Sequence, residues 1–189
     1  MDICIIKLNK SFGDKQVLRD FSARFPQGRR SCVMGSSGCG KTTLLNILLG
    51  LEKPDSGEIT GLPERISAVF QEDRLCPQFS ALANLRLVTG KRVPAETLRT
   101  HLHALGLGES LSLPVCELSG GMRRRVAVAR AMLYDAPLIR LDEPFKGLDV
   151  TTKQMTMDYV RTCCCGRTLI FVTHDAAEAA YLSETVIRM

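Results

Sequence analysis

The segment Gly35-Ser36-Ser37-Gly38-Cys39-Gly40-Lys41-Thr42 constrains this chain more than any other. It fits the phosphate-loop pattern G-x-x-x-x-G-K-[ST] at every fixed position. Its setting also fits: Ser31 to Met34 before it reads as a buried strand, and Lys41 through Leu44, Leu45 and Leu48 after it reads as a helix stopped by Gly50. Glycines let backbone N–H groups converge on phosphate oxygens, and the helix N-terminus adds partial positive charge. The Lys41 ammonium is placed to reach the β and γ phosphates, and the Thr42 hydroxyl to meet Mg²⁺. Gly35, Ser36, Ser37, Gly38, Cys39, Gly40, Lys41, Thr42 and Thr43 are therefore the candidate phosphate-binding residues.

The rest of the chain supplies strands and helices around such a loop. Ile3 to Leu8, the alternating Phe21, Ala23 and Phe25, and Ile66 to Phe70 carry strand signals. Pro137 to Leu141 and Thr168 to Thr173 read as buried strands separated by helix, and Thr185 to Arg188 as a last strand. Strands alternating with helices imply an α/β fold with a mostly parallel sheet covered on both faces. The middle differs: Pro94 starts a helix whose Leu98, Leu102 and Leu105 recur at helical spacing before Gly106. Ser119-Gly120-Gly121 opens another helix that runs through Met132. With 189 residues, 45% apolar and 24% charged, the chain is sized for one domain, 1–189, with a helical insertion at about 72–118.

A triphosphate site needs a carboxylate for Mg²⁺ and another to orient water, at the end of a neighbouring strand. Leu138-Ile139-Arg140-Leu141-Asp142-Glu143 supplies both. Asp142 is the candidate for Mg²⁺, mostly through water, and Glu143 the candidate general base.

Other classes recede on composition. The formal charge of +5 forms no long basic cluster, so it reads as a solvated surface rather than a nucleic-acid or membrane face. Eight cysteines include no Cys-x-x-Cys pair, and Cys163-Cys164-Cys165 cannot easily aim three thiolates at one tetrahedral metal. Buried, reduced thiols are expected instead. Lys7 interrupts the first apolar residues too early for a secretory signal, and no run approaches the roughly 20 apolar residues of a membrane span. The chain is expected to stay in the cytoplasm.

Leu118-Ser119-Gly120-Gly121-Met122 resembles the LSGGQ signature of ATP-binding cassette (ABC) proteins, and with the phosphate loop and Asp142-Glu143 it makes nearly the whole chain resemble the nucleotide-binding subunit of an ABC transporter. The resemblance implies a P-loop NTPase core with an N-terminal antiparallel β subdomain, ATP and Mg²⁺ as ligands, and ATP hydrolysis coupled to transport. It implies that Ser119, Gly120 and Gly121 complete the site of an opposite subunit in a head-to-tail dimer, either a homodimer or a pair with a second ATPase subunit. It gives Gln71 a contact with Mg²⁺ and the attacking water, and gives His174 a bond to γ-phosphate that helps position Glu143. Phe12 stands where an aromatic ring stacks on adenine, and Asp149 in a loop that crosses the dimer interface. Phe70-Gln71-Glu72-Asp73-Arg74-Leu75, Gly120-Gly121-Met122-Arg123, Asp142-Glu143-Pro144-Phe145 and Thr173-His174-Asp175 resemble the nitrate, sulfonate and taurine importers. Transmembrane permease subunits on the cytoplasmic face are the implied partners, docking near Leu75, Pro77 and Phe79; no nucleic acid is expected.

Several positions depart from that pattern. Arg140 occupies a strand that the family fills with aliphatic residues, and an unpaired guanidinium there costs on the order of several kcal/mol. Period-two alternation puts Leu138, Arg140 and Asp142 on one face, so a carboxylate or solvent is expected near Arg140. Lys146 replaces a small residue, and Met122 replaces the signature glutamine. The chain stops at Met189, soon after His174, so Thr185 to Arg188 is expected to form an edge and the domain to be less stable than longer relatives. Two alternatives stay open: a non-transport ABC ATPase acting on nucleic acid or the ribosome, and a degenerate cassette with little hydrolysis.

Overall fold

The computed structural model describes residues 1–189. In chain order its strands are β1 (Ile3–Phe12), β2 (Lys15–Phe25), β3 (Arg30–Met34), β4 (Ser56–Thr60), β5 (Ile66–Val69), β6 (Leu138–Asp142), β7 (Thr168–Val172) and β8 (Thr185–Arg188). Its α-helices are α1 (Lys41–Leu48), α2 (Ala81–Thr89), α3 (Ala95–Ala104), α4 (Gly120–Leu133), α5 (Val150–Cys163) and α6 (Ala176–Leu182). The chain divides into two compact units, one of residues 1–66, 137–143 and 166–189, the other of residues 67–136 and 144–165.

The first unit contains an antiparallel sheet of order β2-β1-β4. The alternating Phe21, Ala23 and Phe25 of β2 turn inward onto a core that includes Ile3, Ile5 and Leu8 of β1. Gly57 shows how closely β4 approaches β1: a Cβ there would lie 2.5 Å from the Lys7 carbonyl oxygen. The same unit holds parallel pairings β6 with β7, β7 with β3, and β3 with β8. Within this unit these strands run in the order β6-β7-β3-β8, which makes β8 an edge. Every residue of β6 and of β7 is buried, as parallel strands covered on both faces require. Asp142 pairs with Val172 and Val172 with Val33, so β6, β7 and β3 end side by side. Chain leaving aligned parallel strands is where α/β proteins place their ligands.

The second unit is mainly helical. Leu98, Leu102 and Leu105 of the α3 segment are fully buried, as their spacing predicts. Pro94 caps α3 from outside rather than opening its first turn. Buried Asn84 in α2 receives the Cys76 N–H and donates to the carbonyls of Cys76, Phe79 and Ser80, so one amide holds the whole approach to the helix.

The cysteines correct one expectation. Only Cys32 and Cys164 are buried, while Cys116 is exposed on a short 3-10 helix (Val115–Glu117) and Cys165 is exposed just past the end of α5. Burial pushes the Cys32 thiol up to about 12, so it stays protonated and unreactive.

Candidate functional site

The phosphate loop curls around its own lysine. Lys41 is only 8% exposed, and its Nζ donates to the carbonyl oxygens of Gly35 and Ser36 at 2.9 and 2.7 Å, with Cys39 Sγ at 3.7 Å. Two glycines allow the curl. Gly40 has φ 101 and its missing Cβ would lie 2.9 Å from Val17 Cγ1. Gly35 leaves space that Cys39 Sγ, 2.6 Å from an added Cβ, would contest. No side chain caps the first turn of α1, which leaves its first N–H groups available to an anion. Ser36, Ser37 and Gly38 are exposed at the rim, and Thr43 is partly buried behind Thr42.

The carboxylates lie at the end of β6. The Thr42 hydroxyl hydrogen-bonds to Asp142, bringing together two of the hard oxygen donors that Mg²⁺ takes. Burial pushes the Asp142 carboxyl above the usual range, against the opposite pull of Arg140 and of Thr42. Arg140, 1% exposed, places Nη2 3.6 Å from Asp142 Oδ2 and 3.1 Å from Asn46 Oδ1. The expected carboxylate partner of Arg140 is thus Asp142, and Asn46 is a second partner that strand alternation does not reveal.

Glu143 follows with φ 46, a left-handed backbone that costs a non-glycine residue about 1–2 kcal/mol. Its N–H donates to the Val172 carbonyl, and this bond holds the turn. Glu143 Oε1 then lies 3.5 Å from Nδ1 of His174, whose ring is exposed. The loop carrying His174 is fixed by its neighbours: the Thr173 hydroxyl donates to buried Glu178 at 2.5 Å, and the Asp175 N–H donates to Thr173 Oγ1 at 3.0 Å. The first unit therefore assembles Lys41, Thr42, Asp142, Glu143 and His174. Phe12, also in this unit, is 47% exposed at the β1–β2 hairpin, with Lys10 Nζ 5.0 Å above its ring. It is not a core residue.

The second unit carries Gln71, Ser119, Gly120 and Gly121. Gln71 is exposed. Ser119 caps α4 by accepting the Met122 N–H at 3.2 Å, and exposed Gly120 opens the helix. At Gly121 an added Cβ would come within 3.2 Å of Leu148 Cδ2. Sequence reasoning passed over the α4 arginines. Arg124 donates to the carbonyls of Phe70 and Gln71 at 2.7 and 2.5 Å and pairs with Asp73 at 3.2 Å. Arg130 donates to the carbonyls of Asp73 and Arg74. The helix that begins at Ser119 thus holds the backbone around Gln71. Asp149 caps α5 by accepting the Thr152 N–H. Pro77 and Phe79 are exposed, Leu75 partly so.

A family model described as "ABC transporter" matches residues 18–146, from β2 through Glu143. The chain belongs to the ABC transporter family. Among its relatives is the aliphatic sulfonates import ATP-binding protein SsuB 1 of Rhizobium johnstonii, 38% identical over 198 residues that span 98% of this chain and 72% of that protein. This ABC protein is also similar, at TM-score 0.87 and 28% identity over 99% of its length and 94% of the other, to a dimeric bacterial ABC transporter cassette. A dimeric post-hydrolysis state of an ATP-binding cassette, bound to ADP and Pi, matches over the same shares at TM-score 0.83 and 28% identity.

Proposed function

We propose that the chain, as one ABC ATPase domain over residues 1–189 with a helical insertion at about 72–118, binds and hydrolyses ATP to energise import of a small solute. Membership of the ABC transporter family and similarity to an importer's ATP-binding protein and to a cassette holding ADP and Pi support the ATPase and importer reading. The observation that carries it is one arrangement: a loop closed on Lys41, Thr42 bonded to Asp142, and Glu143 beside His174.

The residues divide the work by their chemistry. A triphosphate replaces the Gly35 and Ser36 carbonyls as the partner of Lys41, and the loop N–H groups take its oxygens. Thr42 and Asp142 would hold Mg²⁺, with Gln71 as the further donor that the family resemblance implies, and the ion would neutralise charge on the β and γ phosphates. Glu143 accepts the proton of the attacking water, which cleaves ATP to ADP and Pi. His174 orients Glu143 and bonds the γ-phosphate, and Phe12 stacks on adenine. Ser119, Gly120 and Gly121 of a second subunit close over the nucleotide.

The partners are transmembrane permease subunits on the cytoplasmic face, met near Leu75, Pro77 and Phe79. No helix of the chain is itself long and apolar enough to cross a membrane. Binding of a fluorescent ATP analogue and release of phosphate test the assignment. Lys41→Ala is expected to abolish nucleotide binding, and Glu143→Gln to keep binding while slowing hydrolysis by at least about 100-fold, the lower end for a lost general base. Equal, slow hydrolysis by wild type and Glu143→Gln would instead favour a degenerate cassette, a reading to which the closeness of Arg140 and Asp142 lends support.

A further inference from the structure

Arg140 is a full positive charge placed beside the carboxylate assigned to Mg²⁺. Its position follows from matched spacings on α1 and β6. Thr42 and Asn46 are four residues apart on α1, about 6 Å along one helix face. Asp142 and Arg140 are two residues apart on β6, about 6.6 Å along one strand face. The two elements pair residue for residue: Thr42 bonds to Asp142 and Asn46 to Arg140. Asn46 is itself held, since its backbone carbonyl accepts the N–H groups of Leu49 and Leu51 at 3.2 and 3.0 Å. The guanidinium, 3.6 Å from Asp142 Oδ2, is thereby anchored against the helix that carries the phosphate-binding lysine.

We infer that Arg140 is a positioning residue that acts as a built-in counter-cation, making nucleotide binding by this chain less dependent on Mg²⁺. The inference rests on the ATP-binding reading above. Arg140 opposes Mg²⁺ in two ways. It already neutralises part of the Asp142 charge, which weakens the hold on a second cation. It also adds a fixed positive charge behind the phosphate loop, which favours metal-free triphosphate. An opposite charge within about 4–6 Å changes the stability of an ionised group by at least about tenfold, and guanidinium is always protonated at working pH. Burial preserves the effect against salt.

The test is a ratio of affinities. A fluorescent ATP analogue is titrated into wild type, Arg140→Gln and Arg140→Lys, once in EDTA and once with saturating Mg²⁺. Arg140→Gln is expected to raise the ratio of metal-free to Mg²⁺-bound Kd by about tenfold, and Arg140→Lys to return it toward wild type because it restores the charge. Should Arg140→Gln fail to fold, Arg140→Met supplies the neutral arm, since its flexible apolar side chain fills the space without burying an amide that needs hydrogen-bond partners. A ratio that is unchanged or lowered in the neutral variant, or one that Arg140→Lys fails to restore, overturns the inference. Absence of nucleotide binding by wild type in both conditions overturns the ATP-binding reading on which it rests.

Discussion

At the scale of single residues, Glu143 concentrates the functional cost. Its left-handed backbone is strained, and the bond from its N–H to Val172 offsets that strain by tying it to the adjacent strand. His101 makes a separate, testable contribution. Its Nδ1 lies 2.8 Å from the Tyr159 hydroxyl, with the two rings edge-on, and burial lowers its pKa from the usual 6.5. The folded chain therefore prefers the neutral ring. The sign follows: this stability is complete above 6.5 and is lost as pH falls through the lower folded value. Thermal melts between pH 7.5 and 5 are expected to show a steeper fall in Tm for wild type than for His101→Gln, and parallel curves would refute the assignment. That Lys41, Thr42, Asp142 and Glu143 come close together is legible in the sequence, because the loop and the strand end that carry them are marked by spacing. Asn46 and Arg124 are not, since their partners lie 94 and about 50 residues away and no local pattern marks such pairs.

At the scale of elements, the strongly periodic segments are those that sequence reading places best. The α3 leucines, the largely apolar β7 and the glycine-stopped α1 each satisfy one geometric rule. Short or mixed segments escape it. β4, Ser-Gly-Glu-Ile-Thr, has too little apolar character to read as a strand and exists because β1 pairs with it. α2 and α6 are short and are set by their caps, Ser80 and Asp175. The Ser80 hydroxyl accepts the Ala83 N–H at 3.1 Å. Ser80→Ala is expected to cost about 1 kcal/mol of unfolding free energy. Urea denaturation checks this, with a lowered midpoint and unchanged slope. The α1–β6 contact makes a similar point for the candidate site: the helix that begins at Lys41 also places Thr42 beside Asp142 and Asn46 beside Arg140, so the loop and the acidic residues share one support.

At the scale of the molecule, the phosphate loop and carboxylates are contributed by one unit and the signature residues by the other. Hydrolysis on the proposed reading needs both, the second from a partner copy. On that reading nucleotide state is converted into association, the movement that membrane subunits of an importer would use. The negative charge of the bound nucleotides would offset part of the formal +5 that each copy carries. The most direct test is the solution mass of Glu143→Gln, which on the proposed reading retains nucleotide but lacks the base that consumes it. Light scattering is expected to give about twice the monomer mass of 20.8 kDa in Mg-ATP, and the monomer mass in Mg-ADP or when Lys41→Ala is added. A monomer in Mg-ATP, with bound nucleotide verified, would contradict the account.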